Sequence, residues 1–335
     1  MPSRSDTVRL ISCNLERDGG PEDSGELPTV WLEAMTKLAS LNPSAILRQE
    51  MTHSPAGSRR LRAAEEILKM EGFVSPNNMG RHPTGMFLRP DVFLGAKQVP
   101  KMAPWRTPPT IVSTRFAGAP EVELLIGSVH HAFNDRRNRE LEVGDATAYV
   151  DKVKGGKGLI WGGDFNEAPV PRGEIVKPID WASPEITDRV HRVHRTVEVP
   201  HTLRTRVLHH LRRLRPGPRP RLAPRRVSCT YVDQTLLECG MHDGARYHAA
   251  MSGNRQCLGP TAGHAPGAKG QGGPQRIDRL FLDAWLTTAV INVEWIDMSG
   301  LSDHHAVLVD LSVRGMAQAL RRKVNPHPNF FDLAC

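Results

Sequence analysis

LIWGGDFNEAP, residues 159–169, is the stretch that decides how this chain folds. Three apolar residues run into two glycines, and Asp164 and Asn166 then follow two positions apart around a phenylalanine. Residues two apart in a β-strand share one face, so these two polar side chains point the same way. The stretch therefore predicts a buried strand that ends in a carboxylate and a carboxamide directed at one site.

The same pattern recurs at the ends of other apolar runs that read as core strands. The polar residues predicted at the C-terminal ends of these strands are Asn14, Glu50, His130, Asp164, Asn166, Asp278, Asp303 and His304. Burying a carboxylate costs several kcal/mol unless a partner neutralises it. Such groups converging from separate strands would repel one another unless a cation lay among them. A hard divalent ion fits, because Mg²⁺ takes oxygen ligands and keeps waters for a substrate phosphate.

The order of the predicted elements favours a mixed α/β fold. The chain has 335 residues, enough for one large domain or two ordinary ones. Predicted strands and helices alternate, but some strands also follow one another directly, which favours mixed sheets with helices outside over a strict βαβ wheel. Helices are predicted over 27–41, 58–72, 137–153, 202–214 and 316–324, with Gly72 as the C-cap of the second.

The positive charge of the chain is concentrated in one segment. The net charge is +8, yet residues 189–226 contain twelve Arg, no Lys and one acid. Arginine forks match phosphates and could clamp a nucleic-acid backbone, but the segment has no aromatic residue for stacking on bases. Equally, its prolines suit a disordered or loosely helical insertion, and its charge could attract anionic lipids or polyphosphates.

Several classes of protein are disfavoured by composition. No run of about 18 apolar residues exists, so no membrane span is expected, and the first ten residues show no apolar signal-peptide core. The five cysteines are odd in number, scattered and without CxxC spacing. That pattern indicates neither a disulfide framework nor a structural zinc site, and we expect a reduced, cytoplasmic protein.

Six motifs in order give the sequence a family resemblance. They are SCNLE (12–16), RQE (48–50), SVHHAF (128–133), GGDFNEAP (162–169), RIDRLF (276–281) and SDHHAV (302–307). The set resembles the endonuclease/exonuclease/phosphatase superfamily, the fold of deoxyribonuclease I and the AP endonucleases. The resemblance implies a four-layered α/β sandwich, in which two mixed β-sheets pack face to face with helices outside. It implies one domain over 7–314, with an Arg/Pro-rich insertion at about 172–227 and a tail at 315–335.

The resemblance also implies a metal site. Asn14 and Glu50 match the family's metal ligands, and Asp303 matches a ligand of the metal or of its bound water. The expected ion is Mg²⁺, with Mn²⁺ as a possible substitute. A metal in such a site stabilises charge that develops on phosphoryl oxygens and on the leaving oxygen.

The remaining matched residues are implied to do the catalytic work. His130 matches a histidine that contacts the scissile phosphate or helps the leaving group. Asp164 and Asn166 match residues that orient the attacking water and hold a phosphate oxygen. His304 matches a general base or phosphate contact, and Asp278 matches the aspartate that orients it. An aspartate behind a histidine fixes its tautomer and stabilises the imidazolium.

Three residues need separate interpretation. Arg48 stands where the family usually has an apolar residue. Since it shares a face with Glu50, it could pair with that carboxylate or reach a phosphate, and we favour the structural pairing. His131 directly follows His130, and the alignment selects His130 as the functional one. Arg139 matches a family arginine that ties its helix to the core, so its predicted role is structural.

These observations predict a Mg²⁺-dependent phosphoesterase, foremost a nuclease that hydrolyses phosphodiester bonds and contacts nucleic acid through residues 189–226. One alternative is a phosphatase or phosphodiesterase that acts on a small or lipid-linked phosphoester, because the superfamily uses one site for all of these. The other is a nucleic-acid-binding protein whose catalytic site is vestigial, against which the complete set of motifs argues.

Overall fold

The structure is a computed structural model that describes residues 6–23, 25–76, 82–100, 105–154, 156–199 and 225–322. The predicted helix at 202–214 and most of the Arg-rich segment lie outside these residues. No helix among the described residues is both long and apolar enough to cross a membrane.

Fourteen strands are found in the described part of the chain: β1 (Thr7–Asn14), β2 (Ala45–Gln49), β3 (Glu71–Val74), β4 (Gly85–Leu88), β5 (Phe93–Val99), β6 (Thr110–Phe116), β7 (Ala119–His130), β8 (Gly158–Asp164), β9 (Thr196–Val199), β10 (Arg225–Ser228), β11 (Met241–Asp243), β12 (Asp278–Asp283), β13 (Val290–Ile296) and β14 (Ala306–Ser312). The α-helices there are α1 (Thr29–Ser40), α2 (Arg59–Leu68), α3 (Arg136–Lys154), α4 (Arg189–His194), α5 (Tyr231–Glu238), α6 (Gly244–Ser252), α7 (Ala284–Thr287) and α8 (Val313–Leu320).

The strands form two six-stranded sheets and one separate ribbon. The first sheet has the order β13-β14-β1-β2-β4-β3, the second has the order β11-β12-β8-β7-β6-β5, and β9 pairs with β10 in the ribbon. Each large sheet is mixed, because β1 runs parallel to β2 and β7 runs parallel to β8 while the other neighbours are antiparallel.

Three buried clusters define the layers. The largest lies between the two sheets, where Leu10 and Leu47 of the first sheet meet Ile160 and Leu280 of the second. A second cluster packs α1 and α2 against the outer face of the first sheet. A third packs α3 and α5 against the outer face of the second sheet. Helix, sheet, sheet and helix layers therefore follow in order, which confirms the predicted four-layered α/β sandwich.

Strand β1 shows how the sequence builds these layers. Its side chains alternate, so Leu10 enters the cluster between the sheets while Ile11 and Cys13 pack beneath α1 and α2. Because both faces of the strand are covered, apolar residues occur on both faces, although Arg9 and Ser12 interrupt the run. That run ends at Asn14, the last residue of the strand.

Some local predictions need correction. Helix α2 ends at Leu68 and is capped by Lys69 in the left-handed conformation, so the prediction of Gly72 as its C-cap was wrong. Gly72 lies inside β3, where a Cβ atom would come within 3.0 Å of Leu61 and Phe87, so glycine serves close packing there. The helix predicted over 316–324 is α8 at Val313–Leu320, and its Met316 is buried in the core.

The two glycines of the GGDF stretch allow neighbouring strands to come close at the end of β8. A Cβ on Gly162 would lie 2.3 Å from Leu280, and one on Gly163 would lie 1.9 Å from the carbonyl oxygen of Val129. Gly163 also has a φ of +148°, which side-chain-bearing residues rarely adopt. These glycines therefore fix where the following residue, Asp164, is placed.

Replacing Gly163 with alanine should strongly destabilise the protein. The new methyl group would overlap backbone that cannot move away, and overpacking of a core costs about 1–3 kcal/mol or more. Gly57→Ala is the matched control, because Gly57 also has a positive φ of +74° but a Cβ there would meet nothing within 4 Å. Urea denaturation should show a larger loss in the free energy of unfolding for Gly163→Ala than for Gly57→Ala. Equal losses in the two variants would contradict this packing account.

Candidate active site

The site lies at one edge of the sandwich, where strand ends from both sheets meet. His130 ends β7 and Asp164 ends β8, as predicted. Asp278 instead begins β12, and Asp303 and His304 precede β14, so the prediction that these three follow their strands was wrong. Both strands run antiparallel to their neighbours β8 and β1, which brings their starts to the same edge.

The sheet register aligns His130, Asp164 and Asp278, because Asp164 is the partner of His130 on one side and of Asp278 on the other. Asn14 joins them from the first sheet, since its side chain reaches Asp164.

Asp164 is the centre of this arrangement. Its Oδ1 accepts a hydrogen bond from the backbone N–H of Asn166 at 2.8 Å. Its Oδ2 accepts from the Nδ2 atoms of Asn14 at 3.2 Å and Asn166 at 3.1 Å, and His130 Nε2 lies 3.6 Å away. Burial opposes ionisation of this carboxyl, but attraction to His304, His130 and Arg195 outweighs it and lowers its pKa. Asp164 is therefore a fixed, buried carboxylate.

Asp278 and His304 form a second pair beside it. The Nδ1 atom of His304 lies 2.8 Å from Asp278 Oδ2. Burial disfavours the imidazolium, yet contact with Asp278 raises the pKa of His304 to about 10. The pKa of Asp278 is also raised, because burial and the nearby Asp164 disfavour its charge. Ligand-type atoms of Asp164, Asp278 and His304 all lie within 4.8 Å of one another.

Of the three predicted metal ligands, Asn14 and Glu50 are in contact, and Asp303 is linked to the end of β1 through Ser302. Asn14 Nδ2 is 3.5 Å from Glu50 Oε1, and the backbone N–H of Arg17 donates to Glu50 Oε2 at 2.8 Å. Ser302 Oγ lies 2.9 Å from the carbonyl oxygen of Asn14 and 3.5 Å from Asp303 Oδ1. Ser302 therefore holds Asp303 next to the end of β1, where Asn14 and Glu50 meet.

The donor atoms in this corner suit a hard divalent cation. Asn14 is 1 % exposed, and its Oδ1 has no hydrogen-bond partner among the described residues. Glu16 adds a further carboxylate, and its pKa is raised by burial and by repulsion from Asp303 and Glu50. An orphaned amide oxygen beside mutually repelling carboxylates is an oxygen-rich ligand set of the kind that hard divalent cations bind. Glu16 had no assigned role in the sequence, although it lies inside the SCNLE motif.

His131 faces away from this cluster. Its Nδ1 lies 3.0 Å from Glu142 Oε2, and its ring packs between Trp105 and Phe165 in the layer under α3. The strand alternation at the end of β7 thus sends His130 towards Asp164 and His131 towards the outer helix. Of the two adjacent histidines, His130 is the one placed beside the other predicted site residues.

The predicted pairing of Arg48 with Glu50 was wrong. Arg48 Nη2 instead lies 3.2 Å from Asp18 Oδ1, and both side chains are buried. The reason is the backbone of Glu50, whose φ of +59° turns the chain out of the strand and breaks the two-residue alternation. Arg48 keeps the face that points under α1, where it also contacts Met35.

Asp18 organises the loop that follows β1. Besides Arg48, it accepts a hydrogen bond from Ser54 Oγ at 2.6 Å, and Arg60 Nη1 lies 3.8 Å from its carboxylate. Arg60 also donates to the backbone oxygen of Asp18 at 2.9 Å. Two buried cations therefore hold this loop in place, and the same loop presents the N–H of Arg17 to Glu50.

One buried residue of the site was missed by sequence reasoning. Arg195, at the end of α4, donates from Nη2 to Asn166 Oδ1 at 2.6 Å and from Nη1 to Gln275 Oε1 at 3.1 Å. It is 8 % exposed. Nothing in the sequence separates it from the other arginines of 189–226, because its special position depends on the fold of the insertion.

Comparison with known proteins supports the fold. No protein-family model matches this sequence, and no curated protein matches it either. The 3′-5′ exonuclease NExo from Neisseria meningitidis is similar in structure, with a TM-score of 0.56 and 14 % identity over 91 % of this chain and 100 % of that one. The AP endonuclease from Archaeoglobus fulgidus has a TM-score of 0.51 and 13 % identity over 90 % of this chain and 98 % of that one.

A humanized D. rerio TDP2 is also similar, with a TM-score of 0.53 and 14 % identity over 91 % of this chain and 99 % of that one. Two of the similar structures, the NExo 3′ phosphatase and a D. rerio TDP2, hold product DNA. At these identities the likeness establishes the fold, and the chain has the deoxyribonuclease I-like fold that its motifs predicted.

Removing the carboxylate of Asp18 should destabilise the protein by about 3–5 kcal/mol. Asp18→Ala leaves Arg48 and Arg60 buried without their shared counter-ion, and an uncompensated buried charge costs that much. Asp91→Ala is the control, because Asp91 pairs with Arg89 on the surface at 62 % exposure and such pairs contribute little. Urea denaturation of both variants measures the difference, and a loss below about 1 kcal/mol for Asp18→Ala would contradict the role given to this cluster.

Proposed function

We propose that this chain, which has the deoxyribonuclease I-like fold, is a Mg²⁺-dependent nuclease that hydrolyses phosphodiester bonds of nucleic acid. The observation that carries the proposal is the convergence on one ionised carboxylate, Asp164, of Asn14 from one sheet and of His130 and the Asp278–His304 pair from the other. A fixed carboxylate, an Asp–His pair and an oxygen-rich corner together match the needs of phosphoester hydrolysis.

In this proposal Asn14, Glu50 and Asp303 hold the metal, with Mn²⁺ as a possible substitute. The orphaned Oδ1 of Asn14 supports this assignment, since a buried amide oxygen otherwise costs free energy. Bound Mg²⁺ would stabilise negative charge on the phosphoryl oxygens. The protein's own contribution is to keep these side chains together before substrate arrives.

Asp164 is the group that orients the attacking water. Its lowered pKa keeps it ionised at neutral pH, so it can accept a hydrogen bond from water. Donors from Asn166 and Asn14 hold both of its oxygens in place, which fixes the direction from which water is presented. His130 Nε2 lies on the same side and is suited to contact the phosphate or the leaving oxygen.

His304 holds a proton for the phosphate. Asp278 occupies Nδ1 of His304, which leaves Nε2 as the atom that can face substrate. With its pKa raised to about 10, His304 is an imidazolium at neutral pH and donates a hydrogen bond. Of the two roles that the sequence suggested, phosphate contact is therefore favoured over general base.

Nucleic acid is favoured as the substrate by the DNA products in two of the similar structures. One of those two is described as a 3′ phosphatase, which favours a phosphatase acting on a terminal or small phosphoester as the second candidate. A binding protein with a vestigial site is disfavoured, because the fixed carboxylate of Asp164 and the adjacent Asp278–His304 pair are groups that hydrolysis needs and binding does not.

A substrate panel with Asp164→Asn tests the nuclease. The substitution keeps the shape of the side chain but removes the charge that orients water, so Mg²⁺-dependent nicking of plasmid DNA should fall by on the order of 10²–10³. Asp91→Asn, at an exposed aspartate that pairs with Arg89 on the surface, should leave nicking unchanged. Chelator should abolish the activity, and Mn²⁺ should restore it in part.

The panel separates the three candidates. Phosphate release from small phosphoesters with intact plasmid would replace the nuclease by a phosphatase. DNA retention without turnover of any phosphoester would contradict both enzymes.

The Arg-rich segment is proposed as a clamp on the nucleic-acid backbone. Residues 200–224, which lie outside the described residues, contain seven arginines and no acid. The ribbon on either side of them is described, and Val199 pairs in register with Arg225 at its open end. The two described ends of the segment therefore face each other, and Val199 lies four residues beyond Arg195.

Replacing 200–224 by Asn-Gly should weaken DNA binding. Because Val199 and Arg225 face each other, a two-residue type I′ turn can close the ribbon without disturbing it. The slope of log affinity against log salt should fall by about 0.9 for each phosphate contact that is lost. Fluorescence anisotropy of labelled DNA at several salt concentrations measures this, and an unchanged slope would rule out the clamp.

A further inference from the structure

Arg195 is held in the active site by backbone contacts on both sides. Its N–H donates to the carbonyl of His191 in α4 at 2.8 Å, and its carbonyl accepts from the N–H of Cys229 at 2.9 Å. The insertion therefore fixes the main chain of Arg195 at the base of the β9–β10 ribbon. Its side chain is directed inward and reaches the amide of Asn166 beside Asp164.

The guanidinium of Arg195 has only neutral partners. Its two hydrogen bonds go to the amide oxygens of Asn166 and Gln275, and its Nε has no partner among the described residues. No carboxylate oxygen of the described residues forms an ion pair with it. The other buried arginines of the described chain all have such a partner: Arg48, Arg60, Arg139, Arg276 and Arg279.

Arg195 is a buried cation with no carboxylate in direct contact. Burial lowers its pKa to about 10, which still leaves it charged at neutral pH. Asp164, Asp188 and Asp278 attract this charge from a distance, but none of them forms an ion pair with it. A buried charge that lacks a direct partner is costly, and an anionic ligand can supply that partner.

We propose that Arg195 binds a non-bridging oxygen of the substrate phosphate. This inference rests on the proposed function and names a specific ligand for the phosphate within the same site. Arginine has five N–H donors and two are engaged here, so donors remain for a phosphate oxygen. Its planar fork suits phosphate better than the amide of Asn166, whose Nδ2 already donates to His131 O and to Asp164.

Arg195 also keeps Asn166 in one orientation. By donating to Asn166 Oδ1, it directs the Nδ2 of that amide towards Asp164. A phosphate bound to Arg195 is thus placed next to the carboxylate that orients water. The insertion consequently contributes a residue to the chemistry as well as arginines outside the site.

Inorganic phosphate is the probe for this role, because its binding requires no turnover. At constant ionic strength and with Mg²⁺ present, phosphate should raise the melting temperature of the wild type. Arg195→Gln should weaken phosphate binding by roughly 10- to 100-fold, as expected for the loss of a charge-assisted hydrogen bond. Arg195→Lys keeps the charge but loses the planar fork, so its affinity for phosphate should lie between those of the wild type and Arg195→Gln.

Arg9→Gln is the control for loss of a positive charge. Arg9 pairs with Asp310 near the start of β1, at the opposite end of the strand from Asn14, so phosphate binding should not change. If Arg195→Gln does not fold, the comparison of Arg195→Lys with wild type decides. Equal phosphate binding in wild type and in every folded Arg195 variant would overturn the inference.

Kinetics on plasmid DNA separate this inference from the proposed function. Arg195→Gln should lower kcat and raise KM, and Asp164→Asn should lower kcat with phosphate binding retained. Arg195-dependent phosphate binding without turnover of any substrate would reject the proposed nuclease and keep the phosphate site. Normal turnover by Arg195→Gln would reject the phosphate site and keep the nuclease.

Discussion

The buried carboxylate of Asp164 is the constraint on which the rest of the site depends. It cannot stay charged at the edge of an apolar sandwich unless hydrogen-bond donors and positive groups surround it. Those groups come from both sheets, with Asn14 on β1 and Asn166 just beyond β8. Supplying hydrogen-bond donors to this one carboxylate therefore fixes the relative position of the two sheets at this edge. The glycines before Asp164 let the neighbouring strands β7 and β12 pack closely against β8.

Two neighbouring carboxyl groups have opposite properties for reasons visible in their contacts. Asp164 and Asp278 are register partners, yet the pKa of Asp164 is lowered and that of Asp278 is raised. Asp164 has a donor on each oxygen, whereas Oδ1 of Asp278 has no partner among the described residues. Environments that shift the pKa values of two neighbouring acids in opposite directions suit the two acids to different tasks. In the proposed function, Asp164 orients the attacking water and Asp278 holds His304 in place.

The sequence could predict the layers and the neighbourhood of the site, because strand periodicity and strand-end polar residues are local features. It could not predict which buried charges pair. Arg48 and Glu50 lie two residues apart and were expected to pair. A single positive φ at Glu50 separates their side chains, and Arg48 forms its ion pair with Asp18 instead. Likewise, Arg195 depends on how an insertion folds back, and no periodicity encodes that. Pairings across long chain separations are set by tertiary structure.

The partners of the buried arginines separate structural residues from candidate functional ones more clearly than the motifs do. Where a buried arginine meets a carboxylate, as Arg48 meets Asp18, the charge is balanced within the protein and the pair stabilises a loop. Where the arginine donates only to amide oxygens, as Arg195 does, no carboxylate in contact balances its charge. In the proposal, a phosphate small enough to lie beside Asp164 supplies that negative charge. The insertion and the strand-end motifs would then serve the same chemistry.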